Sequence, residues 1–179
     1  MTGRPDRLVV LVRHGNAVAR TRWAGEDATR PLTARGERQA ATLAVDLAEP
    51  PPARLVSSPA RRCTDTLAPL GHRAAVRLEL VDRLAEGSDP DHALAYLLEL
   101  ADGPGTGPVV ACSHGDVIDG LVGRLLAEGT RLEVLDGRPV ALGTPKGGRW
   151  SLTVAGGAVT GGALHGPPGE PPGWGSRVG

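Results

Sequence analysis

Two short apolar runs constrain the fold of this chain most strongly. Residues 8–12 and 108–112 are apolar without interruption, which is typical of strands that are buried on both faces of a sheet. Segments with helical periodicity lie between such runs, so strands and helices alternate along the chain. This order predicts an α/β domain of three layers, in which helices cover both faces of a mainly parallel sheet.

The other elements follow from periodicity and from residues that begin or end helices. Further strands are predicted at 54–57 and 76–80, and an antiparallel C-terminal hairpin at 150–154 and 158–164. Helices are predicted from Thr33 to Glu49 and at 60–70, 90–100 and 117–127. We expect Gly71 to end the second helix and Asp89 to cap the third.

Composition restricts the class of protein and its partners. Hydrophobic residues make up 40% of the 179 residues and aromatic residues only 2%, so we expect one core built from Leu, Val and Ala. Lysine plus arginine and aspartate plus glutamate number 20 each. This balance gives no argument for a nucleic acid or a membrane as partner, and we expect neither.

The cysteines and the two ends of the sequence predict its compartment. Cys63 and Cys112 form no C-x-x-C pattern, so neither a zinc site nor a disulfide framework is expected. Residues 1–7 lack the apolar core of a signal peptide, and no apolar run is long enough to span a membrane. We expect a cytoplasmic protein with one domain, 1–165, and a disordered Pro/Gly-rich tail, 166–179.

Three polar clusters each follow a predicted strand. They have the sequences RHG at 13–15, SSPARR at 57–62 and SHGD at 113–116. In a parallel sheet, ligands bind beyond the carboxyl ends of the strands. If these strands are neighbours, the clusters bring two histidines and at least two arginines to one pocket.

The side chains of these clusters suit a phosphoryl group. A guanidinium binds two phosphate oxygens at once, and a neutral histidine is a competent nucleophile towards phosphorus. A second histidine, if protonated, donates to the oxygens as negative charge develops. With arginine and imidazolium as the positive charges, we expect no metal and no cofactor.

The clusters and their neighbours resemble successive motifs of a known family. The segments LVRHGNAVAR, RPLTARGERQA, SSPARRCTDT and VVACSHGD resemble, in that order, those of the histidine phosphatase (phosphoglycerate mutase-like) superfamily. The resemblance extends over roughly residues 8–164 and implies the three-layer α/β/α fold of that superfamily.

The resemblance also implies roles for single residues. His14 corresponds to the nucleophile that becomes phosphorylated, and His114 to the second catalytic histidine. Arg13 corresponds to a phosphate-binding neighbour of the nucleophile. The S-P-x-x-R spacing assigns the second phosphate-binding arginine to Arg62 and not to Arg61.

The resemblance leaves three assignments open. A glutamate of the mutase branch serves as general acid, and the segment RLAEG places Glu86 there, with Asp116 as the competing candidate. Asn16 stands where many members have glutamate, so this position indicates little about mechanism. Arg20 either contacts phosphate from its loop or is a solvated loop residue.

The length of the chain favours the small SixA-like branch. Within it, RWAGEDATRPLT, RRCTDTLAPL, CSHGDVI and PKGGRW resemble the phosphatase domain that actinobacterial MutT-type proteins fuse to a Nudix domain. This resemblance implies a nucleoside diphosphate substrate, whose second phosphate and base would lie near Arg20, Arg22, Trp23 and Lys146. We find no Nudix half in the sequence and expect a free-standing domain, for which that implication is weaker.

We therefore predict a metal-independent phosphohydrolase that acts through a phosphohistidine intermediate on His14. Its substrate is a small phosphorylated metabolite or a nucleoside diphosphate. One alternative is a SixA-like protein phosphohistidine phosphatase, which needs an open rim that admits a protein loop. A second alternative is an inactive phosphate-binding module, against which the full set of histidines and arginines argues.

Overall fold

Strands of one mixed sheet form the centre of the molecule. The computed structural model describes residues 6–134 and 143–169, and within them seven strands join in the order β3-β2-β4-β1-β6-β7-β5. The strands are β1 (Arg7–Arg13), β2 (Arg54–Ser57), β3 (Leu78–Leu80), β4 (Val109–Ser113), β5 (Arg131–Val134), β6 (Arg149–Ala155) and β7 (Ala158–His165). The α-helices of the described residues are α1 (Ala34–Asp46), α2 (Arg61–Ala74), α3 (Pro90–Ala101) and α4 (Gly115–Ala127).

The directions of the strands agree with the predicted sheet. β1 pairs parallel with β4, β4 with β2, and β2 with β3. β6 is antiparallel to both of its neighbours, β1 and β7, and β5 runs parallel to β7. The mainly parallel sheet and the antiparallel C-terminal hairpin are therefore confirmed.

Alternate residues of β1 enter the cores on opposite faces of the sheet. Val10 packs in a cluster with Leu43 of α1 and residues of α2. Leu11 packs in a second cluster, with Leu97 of α3 and residues of α4. Because neighbouring residues of a strand point to opposite faces, an uninterrupted apolar run is what two helical layers require.

Two helices begin at the predicted caps. The hydroxyl of Thr33 accepts a hydrogen bond from the amide of Gly36, at 3.3 Å, in the first turn of α1. The carboxylate of Asp89 accepts from the amide of Asp91, at 2.9 Å, and Pro90 opens α3. Both side chains satisfy amides that a helix start leaves without an intrahelical partner.

The prediction that Gly71 ends α2 is wrong. The helix continues through Gly71 to Ala74, and Ala75 ends it in the left-handed conformation, with φ 54°. A Cβ at Gly71 would lie 3.0 Å from the carbonyl oxygen of Val76. The glycine therefore allows a close approach between the helix and the segment that follows it.

Strand β5 was not predicted. Its four residues, Arg131–Val134, alternate between exposed and partly buried, and it pairs at the sheet edge with β7. So short a segment, with charged residues at alternate positions, has little of the apolar signal that identified β1 and β4.

The described residues can be compared with the expectations about membrane spans and the C-terminal tail. None of their helices has both the length and the apolar character that crossing a membrane requires. Residues 170–179, most of the predicted tail, lie outside the described part. The boundary at residue 165 stays a prediction.

Gly36 is predicted to be required where α1 meets the turn after β1. A Cβ at this position would lie 2.1 Å from the carbonyl oxygen of Asn16. We predict that Gly36→Ala lowers the free energy of unfolding by about 1–3 kcal/mol because the backbones must separate. Helix propensity alone favours alanine by about 1 kcal/mol, so it opposes the steric cost of the added Cβ.

Gly123→Ala in α4 is the matched control, because a Cβ there meets nothing within 4 Å. We expect this variant to gain up to about 1 kcal/mol. Urea denaturation measures the free energy of unfolding of both variants. Stabilisation by Gly36→Ala would contradict the steric account.

Candidate active site

Three neighbouring parallel strands end at one edge of the sheet, and polar side chains follow each of them. His14 follows β1, Ser58 follows β2, and His114 follows β4. The rings of His14 and His114 lie with their centroids 5.4 Å apart, at an interplanar angle of 64°. Both histidines are buried, so the structure brings together the two predicted catalytic histidines in one pocket.

Hydrogen bonding fixes the tautomer of His14. Its Nδ1 lies 2.8 Å from the carbonyl oxygen of Gly15. A carbonyl only accepts, so Nδ1 carries the hydrogen and Nε2 presents its lone pair. Nε2 is thus the ring nitrogen with nucleophilic character.

The surroundings of His14 favour its neutral form. Burial lowers its pKa to about 3, against the hydrogen bond to Gly15, which raises it. The positive charges of Arg62 and Arg13 act in the same direction as burial. The imidazole is therefore neutral throughout the physiological range, as nucleophilic attack requires.

A buried hydroxyl links the turn after β1 to α2. The amide of Gly15 donates to Oγ1 of Thr66 at 2.9 Å, and that hydroxyl donates to the carbonyl oxygen of Arg62 at 2.6 Å. Thr66 is fully buried. It therefore fixes the position of the turn that carries His14 relative to the helix that carries Arg62.

Arg62 is a charged side chain with 1% exposure. Its terminal nitrogens contact the carboxylate of Asp27 at 3.0 Å and that of Glu86 at 2.8 Å. One of them also donates to Nδ1 of His114 at 3.2 Å. Because buried charges require partners, these contacts hold four separate segments of the chain together.

Two buried guanidinium groups each keep a donor without a partner. Nε of Arg13 and Nε of Arg62 form no hydrogen bond within the described part of the chain. Leaving a buried donor unsatisfied costs about 1–3 kcal/mol. An anion that accepts from both arginines would remove that cost, and a phosphoryl group has the oxygens to do so.

The hydrogen bonds of His114 are those of a neutral imidazole and not of the protonated ring that would donate to a phosphate. Nδ1 accepts from Arg62, so the hydrogen of the neutral ring is on Nε2, which lies 2.8 Å from the hydroxyl of Ser58. Donation from Nδ1 to a phosphate oxygen therefore requires that His114 gain a proton and give up its contact with Arg62.

Glu86 lies at the exposed side of the pocket and accepts from two arginines. Its oxygens lie 3.2 Å from a terminal nitrogen of Arg20 and 2.8 Å from one of Arg62. The side chain is 46% exposed. Both its candidate roles, as general acid and as partner of Arg62, involve the same carboxylate.

Asp116, the competing candidate for general acid, is bound to the loop of Glu86. Its carboxylate accepts from the amide of Gly87 at 2.7 Å. Gly87 directly follows Glu86, so Asp116 fixes the backbone that carries the other candidate. Glu86 thus lies on a loop whose backbone is held by Asp116.

Arg20 is exposed and contacts carboxylates. Its Nε lies 3.0 Å from Asp27, which also pairs with Arg30 at 2.9 Å. Burial raises the pKa of Asp27, but the hydrogen bond from Arg30 and the charge of Arg62 outweigh it and lower the pKa to about 2. We call these residues the arginine–carboxylate cluster: Arg20, Arg30, Arg62, Asp27 and Glu86.

Asn16 is bound to the start of α1. Its side-chain oxygen accepts from the hydroxyl of Thr33 at 2.8 Å. Its backbone amide donates to Oε1 of Gln39 at 2.8 Å. The residue that replaces the family's common glutamate thus joins the turn after β1 to α1.

Sequence patterns did not predict the contacts of Thr66, Ser58 and Asp27. Thr66 lies one turn after Arg62 on the buried side of α2, and this spacing is the signal that would have identified it. Asp27 lies in a loop without periodicity, where no local pattern predicts its contact with Arg62.

The described residues contain no group of three or more His, Cys, Asp or Glu side chains placed to hold a metal ion. The positive charge of the pocket comes from the buried Arg62 and the partly buried Arg13. The site is thus an arginine-rich pocket with a neutral histidine.

Such a pocket, at the carboxyl edge of a three-layer α/β domain, suits a phosphoryl group. The sequence profile of the histidine phosphatase superfamily (branch 1) matches residues 9–88. The 8-oxo-(d)GTP phosphatase of Mycolicibacterium smegmatis is 34% identical over 167 residues. That match takes in 92% of this chain and 49% of the relative, so the chain spans about half of the relative's length.

Solved structures share the fold. The protein histidine phosphatase SixA complexed with tungstate has 24% identity and a TM-score of 0.66, with 88% of this chain and 94% of that chain covered. A mycobacterial glucosyl-3-phosphoglycerate phosphatase complexed with VO3 has 21% identity and a TM-score of 0.61, with 82% and 90% covered. The predicted phosphoglycerate mutase-like fold is confirmed.

These similarities support the predicted membership of the histidine phosphatase superfamily. The predicted class of enzyme, a phosphatase, is supported by this assignment and by the named phosphatase among its relatives.

Thr66 is predicted to position the nucleophile. We expect Thr66→Val to lower kcat about tenfold to a hundredfold with a smaller change in KM, because the Gly15 amide loses its acceptor and His14 shifts. Thr66→Ser keeps the hydroxyl and should restore most of kcat.

Thr64→Val is the matched control, since Thr64 lies on the same helix with a hydroxyl that bonds only the exposed carbonyl of Arg61. Steady-state kinetics test all three variants. An equal loss in Thr66→Val and Thr64→Val would contradict the positioning role.

Proposed function

We propose that the protein is a metal-independent phosphohydrolase that transfers a phosphoryl group to Nε2 of His14 and then to water. Its substrate is a small phosphorylated metabolite or a nucleoside diphosphate. One observation carries this proposal: a buried neutral His14 lies near Arg13 and Arg62, whose buried Nε donors have no partner within the described residues. This combination suits an oxyanion next to a nucleophile.

The first step forms the phosphohistidine. The lone pair of Nε2 on His14 forms a bond to phosphorus as the bond to the leaving oxygen breaks, and that oxygen takes the electron pair. Arg13 and Arg62 bind the oxygens of the transferred group, and His114 donates to them once it is protonated. The positive charge thus lies where negative charge develops.

Protonation of the leaving oxygen is the role of Glu86 in this proposal. In the free protein its oxygens accept from Arg20 and Arg62. Phosphate oxygens would replace it at Arg62, after which a protonated Glu86 can donate. A phosphate leaving group is more acidic than an alcohol and needs this donation less.

The second step hydrolyses the phosphohistidine. A water oxygen forms a bond to phosphorus as the bond to Nε2 breaks, and the electron pair returns to the ring of His14. The carboxylate of Glu86 accepts the proton of the water, which restores its acid form. The products are inorganic phosphate and the free enzyme.

The relatives support a phosphorylated substrate without fixing its identity. The Mycolicibacterium smegmatis relative is named an 8-oxo-(d)GTP phosphatase, which favours a nucleotide. The SixA structure is a complex with tungstate, an oxyanion of the same tetrahedral shape as phosphate.

A SixA-like protein phosphohistidine phosphatase is the second candidate. One observation favours it: Arg20 and Glu86 at the edge of the pocket are 64% and 46% exposed. An edge this open can admit a loop of a protein substrate. An assay with nucleoside diphosphates, phosphoglycerates and a phosphohistidine protein separates the candidates, and hydrolysis of none of them would indicate a phosphate-binding module.

Substitution of His14 is the direct test of the intermediate. We expect His14→Ala to lose activity about a thousandfold or more because the pocket contains no second nucleophile in the same position. The wild type, quenched during turnover, should carry a phosphoryl group that is labile in acid and stable in base.

The control is His72→Ala, which changes an exposed histidine of α2 and should keep full activity. A metal chelator should leave the wild type unchanged. Full activity of His14→Ala, or loss of activity on chelation that one metal restores, would overturn the proposal.

Substrates with different leaving groups distinguish Glu86 from Asp116 as the general acid. We expect Glu86→Gln to lower kcat about a hundredfold for an alkyl phosphate and far less for p-nitrophenyl phosphate, whose leaving oxygen needs no proton. Asp116→Asn should affect both substrates alike, because it acts through the loop at Gly87. A dependence on leaving group in Asp116→Asn alone would assign the general acid to Asp116.

A further inference from the structure

The two arginines of the proposed phosphoryl site are held in different ways. Arg62 contacts the carboxylates of Asp27 and Glu86 directly. Arg13 forms no ion pair within residues 6–134 and 143–169. One of its terminal nitrogens donates instead to the carbonyl oxygen of Thr144. The orientation of the Arg13 guanidinium therefore depends on what holds Thr144.

The face of the Arg13 guanidinium packs against the start of α4. A Cβ at Gly115, the first residue of that helix, would lie 2.7, 2.9 and 3.0 Å from Cζ, Nη2 and Nε of Arg13. Because the group is planar, three nearly equal distances mean that its face and not its edge is turned to Gly115. The helix limits movement out of the plane, and the bond to Thr144 limits rotation within it.

Thr144 is 2% exposed and is bound through each of its polar groups. Its amide donates to Oδ1 of Asp119 at 2.8 Å, and its hydroxyl accepts from Nε1 of Trp150 at 2.9 Å. Its carbonyl is the acceptor for Arg13. Pro145 follows and disfavours a helical backbone at Thr144. The carbonyl that Arg13 contacts thus has a fixed direction.

Asp119 joins this segment to α4. Its second oxygen lies beside Gly143, where a Cβ would be 2.9 Å from Oδ2. Gly143 has φ 74°, a left-handed conformation that favours glycine. Asp119 follows Gly115 by four residues, so both lie on one face of the helix. That face contacts Arg13 at Gly115 and Thr144 at Asp119.

The carboxylate of Asp119 supports Arg13 without occupying its donors. Burial lowers the pKa of Arg13, and the negative charges of Asp119, Asp116 and Glu86 act against burial. A carboxylate in direct contact would compete with phosphate, as Glu86 does at Arg62. Asp119 binds the backbone instead, and Nε of Arg13 stays without a partner in the described part of the chain.

We propose that Asp119 is a positioning residue of the phosphoryl site. It fixes Thr144, whose carbonyl aims the guanidinium of Arg13 at the phosphoryl group that His14 accepts. This inference rests on the proposed function, which assigns Arg13 to that group, and extends the site to a residue of α4 that touches no substrate.

Binding of tungstate, measured by calorimetry, tests the proposal without turnover. We expect Asp119→Ala to raise the Kd of tungstate about tenfold, because the segment that holds Arg13 loses a hydrogen bond to a charged group. Removal of a negative charge near an anion would by itself strengthen binding. The expected direction is therefore opposite to that of charge alone.

Asp119→Asn is the conservative variant. It keeps an oxygen that accepts from the amide of Thr144, so the Kd of tungstate should stay within about threefold of the wild type. Unchanged or tighter binding by Asp119→Ala, or an equal loss in both variants, would overturn the assignment.

A double substitution shows whether Asp119 acts through Arg13. In an Arg13→Met background the guanidinium that Thr144 holds is gone, so Asp119→Ala should weaken tungstate binding no further. A further loss of about tenfold in that background would mean that Asp119 acts by another route, and would overturn the proposal.

Glu128→Ala is the matched control, because it also removes one carboxylate and one hydrogen bond. Glu128 directly follows α4 and accepts from Arg124 at 2.8 Å. The 13 residues of α4, about 20 Å of helix, separate it from His114. Its substitution should leave tungstate binding unchanged, and a loss equal to that of Asp119→Ala would contradict the positioning role.

Hydrolysis is measured separately, so that the two proposals fail in different ways. Asp119→Ala should also lower kcat/KM for p-nitrophenyl phosphate about tenfold. Failure of the wild type to hydrolyse any phosphate would overturn the proposed function alone, since tungstate binding does not depend on turnover. Wild-type binding of tungstate by Asp119→Ala, in an enzyme that does hydrolyse phosphates, would overturn the role of Asp119 alone.

Discussion

The pocket is assembled around the buried charge of Arg62. A guanidinium with 1% exposure is stable only if its donors find acceptors, and these come from the loop of Asp27, the loop of Glu86 and the end of β4 at His114. Its own carbonyl holds Thr66, which in turn holds the turn after His14. Removal of this one charge would leave the two carboxylates bridged only by the exposed Arg20 within the described residues, with no buried positive charge between them.

The features that the sequence predicted are those that local patterns encode. Burial on both faces leaves an apolar run, so β1 and β4 were recognised, and the polar residues after them identified Arg13, His14 and His114. Arg62 followed from the resemblance of its motif to that of the family. These residues were found because strand ends and motifs are contiguous in sequence, although their catalytic roles remain proposals.

The features that could not be predicted depend on contacts between distant segments. Asp27 joins the pocket because its loop folds over Arg62, which no pattern in that loop encodes. Gly71 resembles a helix stop, yet it is a glycine because the chain at Val76 approaches closely. Glu86 and Asp116 were alternatives in sequence, whereas in the fold one fixes the loop of the other.

The pairing of Glu86 with Arg62 makes the pocket selective among anions. An anion that reaches Arg62 must displace a carboxylate that is already 2.8 Å away. A small monoanion such as acetate offers nothing stronger than the resident group, so the exchange yields no net gain. A phosphate dianion brings more charge and more acceptors, and can satisfy the free Nε donors as well. The protein thus contains its own competitor, which screens out weak anions before any chemistry begins.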